Sequence, residues 1–100
     1  MTPEARVKNA VKKLLTEHGV WYFMPVSNGM GRHGIPDVIC CVNGHFLAIE
    51  CKAGKGVATA LQQREMERIG AAGGDAMVVS DDPETMEYLQ WRLNQLLNPA

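Results

Sequence analysis

The sequence predicts an α/β fold, a mixed sheet flanked by helices in the order αβββαβα, and three observations carry that expectation. Two segments, Thr2-Pro3-Glu4 and Asp82-Pro83-Glu84, offer a capping side chain, a proline and an acid just before apolar residues at helical spacing. Asn43-Gly44 joins two short apolar runs, the strongest local signal for a hairpin with a two-residue type I′ turn. Both faces of that hairpin are apolar, so it needs cover on both sides.

In chain order, the first helix carries Val7, Ala10, Val11, Leu14 and Leu15 on one stripe and ends at His18-Gly19. Val20 to Val26 is rich in aromatic and β-branched residues and reads as a strand. Ser27 to Gly34 is a glycine-rich loop, and the hairpin runs from about Pro36 to Lys52. One side of the hairpin holds Asp37, Ile39, Cys41, Phe46, Ala48 and Glu50; the other holds Val38, Cys40, Val42, Leu47 and Ile49. Ala53 to Ala58 is a loop around Gly54, Lys55 and Gly56. Thr59 caps a second helix with Leu61, Met66 and Ile69 inward, which stops at Gly73-Gly74. Ala76 to Ser80 is a short buried strand, and the helix after Asp82 aligns Met86, Leu89, Leu93, Leu96 and Leu97. Tyr88 and Trp91 lie elsewhere on that helix, where they either complete the core or form a partner surface.

One hundred residues make a single domain spanning 1–100, with no room for a second core. A hydrophobic share of 46% beside 21% charged residues fits an ordinary soluble protein and excludes a disordered chain. No apolar run approaches the ~20 residues of a membrane span, and the N-terminus lacks a secretory pattern. Cys40, Cys41 and Cys51 show no paired zinc spacing and read as reduced core residues of a cytoplasmic protein. The net charge of −1 conceals a split. Residues 1–64 hold eight basic against four acidic side chains, net +4; residues 65–100 hold two against seven, net −5. Such a split suggests a basic face and an acidic one, with random surface asymmetry an equal alternative.

The turn sets the hairpin register. Val42 faces His45, and counting outward sets Asp37 across from Glu50, with Lys52 on the same face two residues on. Opposed like charges in apolar surroundings are expensive unless paired or metal-bound, and so call for a cation. Two hard oxygen ligands suit Mg²⁺ or Mn²⁺, with Lys52 placed to orient a water or steady negative charge; the plainer reading is a strand-end ion pair. Gln62 points inward on the second helix, as a core amide or as a site residue. Glu4 is accounted for by the helix dipole alone. Gly29-Met30-Gly31-Arg32-His33-Gly34 matches a dinucleotide-binding pattern, but it leads into a strand rather than a helix, so no nucleotide cofactor is expected. Arg32 and His33 in this loop, with Lys55 and Lys12 in the basic half, are candidate phosphate contacts.

These residues resemble the VRR-NUC family of the PD-(D/E)XK nuclease superfamily. The likeness runs through Gly34-Ile35-Pro36-Asp37, Gly44-His45-Phe46, Ile49-Glu50-Cys51-Lys52, Thr59-x-x-Gln62 and Ala72-Gly73-Gly74, about residues 4–80. It departs at Cys51, the variable hydrophobic position of the E-x-K motif. The resemblance implies a restriction-endonuclease-like αβββαβ core, here with an extra C-terminal helix, and Mg²⁺- or Mn²⁺-dependent hydrolysis of DNA phosphodiesters. It implies Asp37, Glu50 and the Cys51 carbonyl as metal ligands, Lys52 as the water-orienting residue, and Gln62 and Glu4 as further site residues. It also implies a homodimer selective for branched DNA such as Holliday junctions, with the Trp91 helix or the Met24-Pro25 strand as interface. Alternatives are a nuclease acting on linear or flap DNA, or a DNA-binding protein of the same fold without catalysis. A metal-binding regulator using Cys40, Cys41, Cys51 and His45 is disfavoured, since strand geometry disperses those side chains over both faces.

Overall fold

A computed structural model describes residues 1–26 and 31–100. The expected order is found: α1 (Pro3–Glu17), β1 (Trp21–Phe23), β2 (Val38–Val42), β3 (His45–Cys51), α2 (Ala60–Ala71), β4 (Asp75–Val79) and α3 (Pro83–Leu97). All three helices start where the capping chemistry says they should. The Thr2 hydroxyl accepts from the Ala5 N–H, the Thr59 hydroxyl from Gln62 and the Asp82 carboxylate from Glu84. Each such cap is worth about 1 kcal/mol.

The strands form one mixed sheet in the order β1-β2-β3-β4. β2 and β3 pair antiparallel around the turn, Val42 with His45 and Val38 with Ile49, in the register counted from the sequence. Asn43 and Gly44 have φ of 51° and 81°, both in the left-handed region a type I′ turn requires. β4 returns parallel to β3 after the crossover through α2, setting Ile49 beside Met77 and Glu50 beside Val78. β1 is shorter than the expected strand: three residues pair with β2, and Met24 to Val26 leave the ladder toward the proline. Residues 27–30 of the expected loop, including Gly29 and Met30 of the glycine pattern, lie outside the described residues.

The two faces of the sheet are covered unequally, which corrects the expectation of full cover on both sides. Val38, Cys40, Val42, Leu47, Ile49, Cys51 and Val79 form one core with Val7, Val11 and Leu15 of α1 and Leu89 and Leu93 of α3. On the opposite face α2 packs on β4, burying Ala48 and Glu50, while Cys41, Phe46, Trp21 and Phe23 remain exposed. A single crossover helix is too narrow to cover four strands. Cys41 is therefore not a core residue, although Cys40 and Cys51 are. Ala10 and Leu61, expected inward, are exposed as well. Tyr88 and Trp91 stack at the surface, with ring centroids 5.7 Å apart, and so do not complete the core. Among the described residues no helix is long and apolar enough to cross a membrane.

Candidate active site

The hairpin and α2 converge on Glu50, and α1 reaches Asp37 beside it. Glu50 occupies the α2-facing side of β3, where the alternation beginning at the Asn43-Gly44 turn directs it, and its side chain is 2% exposed. Lys52, two residues on and also largely buried, brings Nζ within 3.2 Å of Glu50 Oε2. Gln62 donates from Nε2 to the same oxygen at 2.8 Å. The other end of that amide is held too, because Gln62 Oε1 accepts the Thr59 N–H at 2.8 Å and closes the capping box of α2. One glutamine thus caps a helix and orients a buried carboxylate. Oε1 of Glu50 is buried and has no hydrogen-bond partner among the described residues.

Asp37 lies one residue before β2, at the position the register sets across from Glu50. Its Oδ2 accepts the Cys51 N–H at 2.8 Å, and its Oδ1 is 3.7 Å from Lys8 Nζ on α1. Burial holds the Glu50 carboxyl above its usual range, the nearby Asp37 charge raises it further, and Lys52 pulls the other way. Burial, aided by the Asp37 and Glu50 charges, pushes the Cys51 thiol up to about 12, so that side chain is an inert part of the core. Cys51 meets the site through its backbone.

The remaining candidate residues surround this centre. Glu4 lines a groove of about 620 Å³ with Lys52, Gly54 and Gly56, next to the acid pair rather than in contact with it. Among the described residues no three His, Cys, Asp or Glu side chains converge as a metal-holding cluster, so the acids come as a pair. Arg32 and His33 are exposed and share a groove of about 290 Å³ with Asp37. Lys12 is half-buried on the α1 stripe that also carries Glu4 and Lys8, and Lys55 is exposed in the loop after β3. Gly34 positions the Arg32 loop: its φ is +81°, and a Cβ there would meet the Leu61 carbonyl oxygen at 2.6 Å, so the loop lies directly on the first turn of α2.

Two residues escaped the sequence reading. Lys8 is on α1, and only the packing of that helix on the sheet, against β1 and β3, brings it to Asp37. Glu65, a charged residue amid the polar run Gln62-Gln63-Arg64, is 3% exposed and ion-paired to Arg32 at 3.0 Å. Its one signal is helical spacing, since i+3 from Gln62 sets both on the same side of α2.

A profile of the archaeal Holliday junction resolvase (Hjc) family matches residues 5–92. A solved structure described as a VRR_NUC domain protein superposes with a TM-score of 0.72 at 19% identity, covering 95% of this chain and 90% of that one. At that identity the likeness bears on the fold, and it agrees with a restriction-endonuclease-like sheet flanked by helices. No curated protein matches in sequence. With the profile running from α1 into α3 and the fold shared, the chain belongs to the archaeal Holliday junction resolvase family of the PD-(D/E)XK nuclease superfamily.

Proposed function

We propose that this protein is a Mg²⁺- or Mn²⁺-dependent DNA endonuclease, selective for branched DNA such as Holliday junctions and active as a homodimer. The observation that carries the reading is the Glu50 carboxylate, buried beside a second acid, with one oxygen held by Lys52 and Gln62 and the other without a partner among the described residues. A buried, unpartnered oxygen is costly, and a hard divalent cation shared with Asp37 removes that cost. The donor set therefore fits such an ion, with Asp37, Glu50 and the Cys51 carbonyl as the residues that would hold it. When bound, the ion polarises a phosphoryl oxygen and lowers the pKa of a coordinated water.

The chain's own residues do the rest. Lys52, 3.2 Å from Glu50, orients the attacking water and steadies negative charge developing on the phosphate. Gln62, its amide oxygen held by the Thr59 N–H, fixes the Glu50 rotamer by donating from its amide nitrogen. Lys8 offsets the Asp37 charge while its carboxylate is held by the Cys51 N–H. Glu4 borders the site from α1, and Arg32, His33, Lys12 and Lys55 supply contacts to backbone phosphates, which fix position without reading sequence. The buried, protonated Cys40 and Cys51 thiols fit a cytoplasmic setting. A domain this small reaches two strands most simply as a pair, and the exposed Trp21–Phe23 patch on β1 offers an apolar surface for a second copy.

The test is cleavage of end-labelled linear duplex, flap and four-way-junction DNA with Mn²⁺. The expected result is preferential cutting of the junction by the wild type and none by Asp37→Ala. Junction binding without cleavage supports the non-catalytic reading, and preferential cutting of linear or flap DNA corrects the substrate.

A further inference from the structure

The geometry points to a second phosphate-binding locus, built by Arg32, Arg64 and Arg68 around the buried Glu65, that holds the DNA backbone next to the cleavage site. It rests on the nuclease reading above and adds residues and a location to it.

Glu65 is buried at 3% exposure, yet each of the three arginines around it is more than half exposed. Arg32 Nε donates to Glu65 Oε1 at 3.0 Å; Arg64 Nη2 is 3.8 Å and Arg68 Nη1 3.7 Å from the same oxygen. One cation suffices to neutralise a buried carboxylate. Three leave a surplus of +2 at the surface, on guanidinium groups held from two different segments of the chain. Guanidinium forks match phosphate oxygens in a bidentate way, which suits such a surplus to a phosphodiester.

The location argues for the same ligand. Glu65 follows Gln62 by three residues on α2, a rise of about 4.5 Å, and Gln62 holds Glu50. The residue that organises the arginines therefore lies one helical turn from the residue that holds Glu50, on the same side of α2. Arg32 links two surfaces. It lines the groove that contains Asp37, and it also lines a second groove of about 450 Å³ with Glu65, Arg68 and Phe46. The close approach of Gly34 to Leu61 holds the loop bearing Arg32 on α2. A strand entering at Asp37 meets Arg32 and then Arg68 along a continuous basic path. Glu65 is a positioning residue here: it touches the arginines rather than the DNA.

The experiment measures junction binding by fluorescence anisotropy across a salt series, with Mg²⁺ present and the Lys52→Ala change in every protein to prevent cleavage. Added to that parent, Arg32→Ala, Arg64→Ala and Arg68→Ala are each expected to weaken binding roughly 3- to 10-fold and to lower the slope of log affinity against log salt by about 0.9. Lys13→Ala, a cation paired with Glu17 on the outer face of α1, is expected to keep the parent slope. Glu65→Gln separates the proposal from net charge alone. Removing an acid should tighten DNA binding if only charge counts, whereas loss of the organising carboxylate is expected to weaken it. Unchanged slopes in all three arginine variants, or tighter binding by Glu65→Gln, overturn the locus and leave the nuclease reading standing. Failure of the parent to bind DNA overturns both.

Discussion

At the residue scale, the site turns on a carboxylate kept in a place where it is reluctant to ionise. The folded-state pKa of Glu50 is raised above its ordinary value of 4.5, so between 4.5 and that higher value the folded protein binds more protons than the unfolded chain. Stability in EDTA is therefore expected to fall as pH rises through this window. Glu50→Gln should flatten the slope, so that urea unfolding at pH 4 and pH 8 gives a larger loss for the wild type than for the variant. An equal loss in both would mean that burial of Glu50 is not the cause. Gln62 gives a second expectation. Gln62→Ala frees Glu50 and should lower cleavage by about 10- to 100-fold. Thr59→Ala removes the hydroxyl end of the same capping box, and should cost about 1 kcal/mol of stability with cleavage kept within a few-fold. Asp37, Glu50 and Lys52 are legible in the sequence because a two-residue turn converts sequence distance into spatial opposition. Lys8 is not, and neither is the pairing of Glu65 with Arg32, because both contacts join segments distant in the chain that no local pattern brings together.

At the scale of elements, the hairpin and the helix caps are legible almost to the residue, since both rest on short-range chemistry. The length of β1 is not: its aromatic run reads as a longer strand, but pairing with β2 stops at Phe23. Inward positions on α2 are legible for Gln62 and misjudged for Leu61, because α2 packs mainly on β4 and leaves Leu61 exposed. The joint between the Arg32 loop and α2 gives a sharp expectation. Gly34 and Gly44 share a φ of +81°, yet an added Cβ meets the Leu61 backbone at 2.6 Å in the first case and nothing within 4 Å in the second. Gly44→Ala should therefore cost only the conformational penalty, about 1 kcal/mol. Gly34→Ala should cost about 2–4 kcal/mol because backbone must also move. Thermal unfolding of the two variants checks this, and equal losses would contradict the close approach.

At the scale of the whole molecule, the sheet is sealed on one side by α1 and α3 and open beside α2. An alternating hairpin shows that both faces are apolar; it does not show how many helices are available to cover them. The uncovered part holds Trp21 and Phe23, with ring centroids 5.6 Å apart. If this patch joins two copies, a Trp21→Glu, Phe23→Glu double variant should sediment as a monomer where the wild type sediments as a dimer. The same sedimentation behaviour in both would place the interface elsewhere, with the Tyr88–Trp91 surface of α3 the next to test. Activity of the molecule depends, on the proposed reading, on the acid pair holding a divalent cation that drives DNA cleavage. The most direct measurement titrates Mn²⁺ into the protein, follows free Mn²⁺ by electron paramagnetic resonance, and records junction cleavage in the same samples. The expected result is saturable Mn²⁺ binding that rises in step with cleavage in the wild type, with both lost in Asp37→Ala and Glu50→Gln. Undiminished Mn²⁺ binding in those variants, or cleavage that persists in EDTA, would contradict it.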